Sequence, residues 1–376
     1  MIYLDHAATS HPKAPGVTEA VSRCLQEGGS SPGRASHRLA QEASRLLFEA
    51  RESCASLLGA RDTERLIFTA SATEALNLAI LGSIPAGGAV ALTSLEHNAV
   101  MRPLRFLEST RGVRLLVIPF DASGRPNPGA LHEALAQRPD LMVMTAASNV
   151  TGGVTPVDEV AALCRRKRIP LCVDASQLAG HRPFPEACDF LCFSGHKGLL
   201  GPAGTGAVLL GPGVEPTPLI FGGTGSASDQ ERQPETLPDR YEAGTPNLPG
   251  IAGLGAAVRF IAATGIGTTQ AREMALCDEL LRGLRALPGV VSYGPEPGQE
   301  RVPVISIAVE GRDLGEIALA LDRRDICTRV GLHCAPAAHR SLGTLDSGGT
   351  LRFSPGFFTT SHEIQATLAA LEEILA

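Results

Sequence analysis

A carboxylate and an amine each close an apolar run in this 376-residue chain: Asp174 ends Leu171-Cys172-Val173, and Lys197 follows Phe193-Ser194-Gly195-His196. A solvating surface charge is a poor account of a lysine at the end of a buried strand, among hydroxyl and imidazole groups. Amine and carboxylate on neighbouring strand ends are what pyridoxal 5'-phosphate needs. The amine condenses with the aldehyde, and the carboxylate keeps the pyridine nitrogen protonated so that the ring accepts electrons. The pair points to an enzyme.

Other polar sets follow successive apolar runs. Ser71-Ala72-Thr73-Glu74 opens a helical pattern, either as a plain cap or as a cradle of free backbone N–H groups for a phosphate. Glu96-His97-Asn98 comes after the next run, although a lone histidine is more often a satisfied structural group. Ser148-Asn149-Val150-Thr151-Gly152-Gly153 follows a third run, with Asn149 equally at home in a turn. Asp174 with Gln177, then Ser194, His196 and Lys197, complete the series. Each set has an ordinary explanation; five on successive strand ends share none, and open parallel sheets bind ligands at those carboxyl ends. Rival motifs fail. Gly195-His196-Lys197-Gly198 lacks the Gly-Lys-Ser/Thr order of a P-loop, and Gly201-Pro202-Ala203-Gly204-Thr205-Gly206 leads into a strand pattern instead of a helix. Cys188 and Cys192 have no second pair, which argues against structural zinc.

Cys334 stands apart from the other eight cysteines. It lies in Arg329-Val330-Gly331-Leu332-His333-Cys334-Ala335-Pro336, where the preceding Gly-Leu-His and the following Ala-Pro predict a loop. A mobile thiolate there, with Arg329, His333 and Arg340 near in sequence as sources of positive charge, suits a nucleophile. An idle thiol is the competing reading.

The elements that must carry these groups alternate. Strands are predicted at 66–69, 89–93, 114–119, 141–145, 170–174, 189–193 and 206–210, with helices at 73–81, 100–109, 128–136 and 157–168, after one long amphipathic helix over 37–58. Near-continuous apolar strands mean a sheet covered on both faces, hence a mostly parallel α/β sheet. Residues 211–249 are irregular and rich in Gly and Pro, too long for an idle connection, and are expected to line a site or a subunit contact. Helices at 250–263, 270–287, 313–322 and 361–375, with strands near 289–293, 302–309, 325–330 and 350–354, suggest a smaller α+β part. The length alone favours two domains.

With 44% hydrophobic and 19% charged residues and a net charge of −6, composition argues against nucleic acid or an anionic membrane as partner. No basic leader or membrane-length apolar run is evident, and nine mostly apolar-flanked cysteines suit a reducing compartment, so the cytoplasm is the expected location.

These residues resemble the class V aminotransferase-type pyridoxal phosphate enzymes, and within them the cysteine desulfurase and selenocysteine lyase group (NifS- and SufS-like). The likeness runs through Tyr3-Leu4-Asp5-His6-Ala7-Ala8-Thr9, residues 69–77, Glu96-His97-Asn98, residues 148–153, Val173 to Gln177, Ser194 to Gly198, Glu242-Ala243-Gly244-Thr245-Pro246, and residues 329–358. It implies the PLP-dependent transferase fold (fold type I): a large domain over 14–262 with a mostly parallel seven-stranded sheet, and a small one from 1–13 and 263–376 carrying the Cys334 loop and Arg352. It also implies the roles. Lys197 would hold the cofactor and move protons; Asp174 would pair with the ring nitrogen and His97 stack on the ring. Gln177 and Asn149 would meet the ring hydroxyl. Ala72, Thr73, Ser194 and His196 would bind the phosphate, with Thr245 supplied across a homodimer interface. Arg352, with Asn149 and Arg329, would hold the substrate carboxylate. Cys334 would take sulfur from L-cysteine as a persulfide, leaving L-alanine and passing sulfur to an acceptor protein, with His97 as an acid/base candidate. The loop departs from the family: it lacks a serine-rich run, has Leu332 where a polar residue is common, and continues Ala337-Ala338-His339-Arg340. Selenocysteine lyase activity, another class V transaminase or β-lyase activity, and a cofactor-bearing scaffold stay open as alternatives.

Overall fold

Continuous apolar strands arise because both faces of one sheet are covered. The computed structural model describes residues 1–27, 30–33, 37–185, 188–226 and 229–376. In chain order the elements are β1 (Ile2–Tyr3), α1 (Val17–Glu27), α2 (Arg38–Leu57), β2 (Leu66–Thr69), α3 (Ala72–Ser83), β3 (Ala89–Thr93), α4 (Asn98–Arg111), β4 (Arg114–Ile118) and α5 (Pro128–Ala136). Next come β5 (Leu141–Thr145), α6 (Val157–Lys167), β6 (Leu171–Asp174), β7 (Phe190–Ser194), β8 (Gly206–Leu210), α7 (Leu248–Thr264) and α8 (Ile266–Ala286). The chain continues through β9 (Val290–Tyr293), β10 (Ile305–Val309), α9 (Leu314–Asp322), β11 (Ile326–Cys327), β12 (Arg329–Gly331), α10 (Pro336–Leu342), β13 (Thr350–Phe353) and α11 (Ser361–Leu375).

Seven strands form the main sheet in the order β2-β8-β7-β6-β5-β3-β4, with β8 antiparallel to both neighbours and the other pairs parallel. Alternate residues of each strand enter different cores. Leu141 and Val143 pack with Ile67, Val90 and Phe190, while Met142 and Met144 pack on the other face with Leu171, Val173 and Leu191. This two-sided burial is the physical source of the apolar runs. Because β2, β3, β5, β6 and β7 point the same way, their carboxyl ends meet along one edge.

A four-stranded antiparallel sheet, β12-β13-β10-β9, has its own core, where Ile305, Ile307, Leu351 and Phe353 meet Leu276, Leu280, Ile364 and Leu371. β1 joins this part by pairing in parallel with β11, and Leu4 lies in the same core. The irregular segment before α7 is anchored by Glu242, which takes a bidentate pair from Arg51 of α2 at 2.7 and 2.8 Å and accepts from the Phe68 N–H of β2.

Three elements differ from the sequence reading. α1 is absent from the sequence reading although Val17, Ala20, Val21 and Cys24 recur at helical spacing, and its buried residues, Val17 and Cys24, lie on that one face. The run at 325–330 divides into β11 and β12, which belong to different sheets. The stretch after Cys334 is not loop but α10, opened by Pro336 and closed by Gly343 at φ 71°. Among the described residues no single helix is long and apolar enough to cross a membrane; α7 and α8 qualify only as a pair bent by 83°.

Candidate active site

The strand ends surround a cavity of about 250 Å³ lined by Ala72, Thr73, His97, Asn149, Asp174, Gln177, Ser194, His196, Lys197, Arg329, Cys334 and Arg352. Every residue singled out from the sequence as binding or catalytic is there except Thr245, which lies in a separate groove with Glu242 and Gly244.

One wall is the start of α3. Ser71 caps it by accepting from Glu74 N–H at 3.2 Å, and Glu74 returns the favour to Ala70 N–H at 2.7 Å. The cap reading holds and is compatible with the cradle reading, because capping leaves the first N–H groups, of Ala72 and Thr73, without intrahelical partners. Gly206 at the start of β8 permits this approach: a Cβ there would stand 2.5 Å from Ser71 C and 2.8 Å from Ala72 N. Ser194 ends β7 beside them, and His196 shares a 3.0 Å hydrogen bond between Nδ1 and Thr9 Oγ1. Burial lowers the His196 pKa to about 4, so its ring is neutral at pH 7.

The opposite wall carries the charges. Asp174 ends β6, is 5% exposed, and accepts from Ser176 N–H at 2.9 Å. Lys197 follows β7 within its field. Burial pushes the Lys197 pKa down and Asp174 pushes it back up, so the amine is both attracted to the carboxylate and inclined to lose its proton. His97 caps α4, its Nδ1 accepting from Ala99 N–H at 3.0 Å, so the neutral ring carries its proton on Nε2. Burial lowers its pKa against the pull of Asp174. Gln177 Nε2 donates to Ala7 O at 3.0 Å, bringing the N-terminal segment to the cavity.

Arg352, on β13, is 2% exposed. It donates to Asp5 Oδ1 at 2.9 Å and to Asn149 O at 3.1 Å, while its Nε has no partner among the described residues. Arg329, opposite it on β12, stands 3.9 Å from Asp5. Asn149 Nδ2 donates to His333 O at 2.6 Å, and Asn98 N–H donates to Cys334 O at 2.8 Å. Cys334 is the exposed one of the nine cysteines. It and His333 both adopt left-handed backbone, φ 57° and 47°, a conformation that costs side-chain-bearing residues energy and persists when neighbours impose it. The two carbonyl tethers, with His333 Nε2 held by Thr350 Oγ1 at 3.0 Å, are those neighbours.

Of the expectations about Cys334, the loop holds and the sources of positive charge need correction. Cys334 does lie in the expected loop, residues 332–335, but that loop is short, tethered at several points and runs straight into α10. His333 cannot supply it with positive charge, because burial and the Arg352 guanidinium drive the His333 pKa down to about 2. Arg340 is exposed on α10 and does not line the cavity; the cations whose charge meets Cys334 are Lys197 and Arg352, with Arg329 also in the lining. Sequence reasoning passed over Thr145, Ser176 and Asp5. Thr145 and Ser176 had a signal, since both are polar residues at the ends of apolar runs.

This architecture is that of a known group: the class-V aminotransferase profile matches residues 2–367, and the chain belongs to that family. Among curated relatives, it is 34% identical over 99% of its length to a probable cysteine desulfurase of Methanothermobacter thermautotrophicus, covering 94% of that protein. It is 32% identical over 99% of its length to one from Pseudomonas putida, covering 93%. Among solved structures it is similar to the apo cysteine desulfurase of Thermococcus onnurineus NA1, with a TM-score of 0.93, 30% identity, and coverage of 100% of this chain and 94% of that one. The cysteine desulfurase CsdA of Escherichia coli gives 0.86 and 26%, with coverage of 100% and 95%.

Proposed function

We propose that this chain is a pyridoxal 5'-phosphate-dependent cysteine desulfurase, converting L-cysteine to L-alanine and carrying the sulfur on Cys334 as a persulfide. The observation that carries the reading is the convergence of Lys197, Asp174, Arg352 and an exposed Cys334 on one small cavity. The residues suit the cofactor. Asp174 is buried yet makes no ion pair with any described residue, so a protonated ring nitrogen is the counter-charge it lacks. The α3 N-terminus, with Ser194 and His196, offers donors for a phosphate at the other end.

When bound, pyridoxal phosphate supplies an electron sink that loosens the substrate's bond to sulfur. Lys197 would hold it covalently and, with its lowered pKa, would take and return the proton at the substrate's α-carbon. Asp174 would hold the ring nitrogen charged, and His97 would bear on the ring. Arg352 keeps unused N–H donors despite its bond to Asp5, and with Arg329 and Asn149 it orients the carboxylate. Cys334, set at the cavity mouth, receives the sulfur. A homodimer is part of the proposal: Thr245 lies outside the chain's own cavity, in a groove with Phe48, near the exposed Leu219, Ile220 and Phe221. An acceptor protein then removes the sulfur. Free, mostly buried cysteines suit a reducing compartment, and we place the enzyme in the cytoplasm.

The deciding measurement is alanine released from cysteine by the cofactor-loaded protein. A visible absorbance band that survives Lys197→Ala, or no alanine from a fully loaded wild type, would refute the reading. Light scattering tests the dimer, which a monomeric mass would exclude.

A further inference from the structure

Glu96 is 0% exposed, one residue before His97, and the mechanism above leaves it unused. Its Oε1 accepts from the Thr93 hydroxyl of β3 and from the Thr145 N–H of β5 at 3.0 Å, while Oε2 is buried with no partner among the described residues. Ionised, Glu96 would leave a charged oxygen in the interior with no donor; as a neutral acid it leaves one O–H without an acceptor, which costs far less. The next residue of β5's exit, Ala146, donates to Asp174 O at 2.8 Å. Glu96 therefore sits at the junction of the three strand ends that present His97, Thr145 and Asp174.

We propose that Glu96 is a positioning residue that works as a neutral acid: it ties the end of β3 to β5 and so fixes His97, without placing a second negative charge beside Asp174. The groups facing it are Thr93 from β3, Thr145 from β5, Asp174 from β6 and His97 on its own segment. Burial and the Asp174 charge raise its pKa to about 8, against the lowering effect of the two hydrogen bonds. An ionised Glu96 would repel Asp174 and weaken the pairing that holds the cofactor nitrogen charged. The protonation state stands on the protein alone; its bearing on the cofactor rests on the function proposed above.

The test pairs Glu96→Gln, which keeps shape and neutrality, with Glu96→Ala, which removes both ties. In cofactor-free protein, infrared difference spectra at about pH 6 should contain a protonated-carboxyl band that E96Q lacks. In the loaded protein, E96Q should keep wild-type cofactor affinity and lose the wild-type change in absorbance around pH 8. E96A should bind cofactor about tenfold more weakly, from the lost hydrogen bonds. Absence of the infrared band, E96Q as weak as E96A, or superimposable wild-type and E96Q titrations would each overturn the proposal. If E96A does not fold, E96Q against wild type still decides. A wild type that binds cofactor but releases no alanine refutes the desulfurase reading and leaves these readouts intact; a wild type that binds none leaves the infrared band to decide.

Discussion

Cys334 and Lys197 open on the same cavity, and substitution separates the roles proposed for them. Cys334→Ser should abolish alanine formation from cysteine while the cofactor's absorbance persists, whereas Lys197→Ala should remove the band itself; unchanged alanine release by C334S would make the thiol incidental. Arg352→Ala removes the bidentate donor and should raise KM for cysteine at least about tenfold, an effect of 1–3 kcal/mol for a buried charged partner, with its bond to Asp5 lost as well. Three imidazoles give an acid limit to stability. Burial holds His6 and His196 near 4 and His333 near 2, below the ordinary 6.5. The unfolded chain takes up these protons first, so stability is intact above 6.5 and falls as pH drops below it, by up to ~1.4 kcal/mol per unit for each group until its folded pKa is reached. Urea unfolding from about pH 7 to about pH 4.5 checks the sign; a midpoint flat over that span would show that these rings are already charged in the folded state.

Helix α3 and strand β8 form a single device at the level of elements. Gly206 lets the helix start lie against the β7 end, since an added Cβ would collide with Ser71 and Ala72 backbone that cannot swing aside. Gly206→Val should cost about 1–3 kcal/mol by overpacking and weaken cofactor binding more than Ser71→Ala, whose lost cap is worth ~1 kcal/mol. Thermal unfolding and a cofactor titration, read together, rank the two; equal binding by G206V and wild type would mean the helix start holds no phosphate. Elements of this kind are legible in sequence wherever one chemical pattern dictates them. Leu141 to Met144 must be a strand with two covered faces, and Ser71 with Glu74 must open a helix. The mount of Cys334 was not legible, because His333 and Cys334 hold left-handed backbone without being glycine. Their conformation is imposed by Asn149, Asn98 and Thr350, which lie far away in sequence.

In the whole molecule, distant segments are stitched by a few buried polar contacts. The Arg51–Glu242 pair joins α2 to the irregular segment, with both side chains largely buried. Replacing Glu242 by Gln leaves Arg51 short of its counter-charge and should lower stability by about 3 kcal/mol; a loss under about 0.5 kcal/mol in chemical unfolding would mark the pair as solvated. Asp5 is a stronger case. Alternating apolar strands announce the main sheet, but nothing local to Tyr3-Leu4-Asp5 reveals that it contacts Arg352, 347 residues onward. Only the resemblance tied the two stretches together.

That contact sets an order of events during synthesis. Chains leave the ribosome N-terminus first, at ~5–20 residues per second. The segment from Ile2 to Ala7 is therefore made more than 300 residues before β11, Arg352 and Ser354, the groups it meets. A nascent chain can complete the seven-stranded sheet and display Asp174 and Lys197 while the wall bearing Arg352 and Cys334 has yet to be translated. The half proposed to hold the cofactor is thus made before the half bearing Arg352 and Cys334, and a product truncated before Cys334 would lack the proposed sulfur carrier.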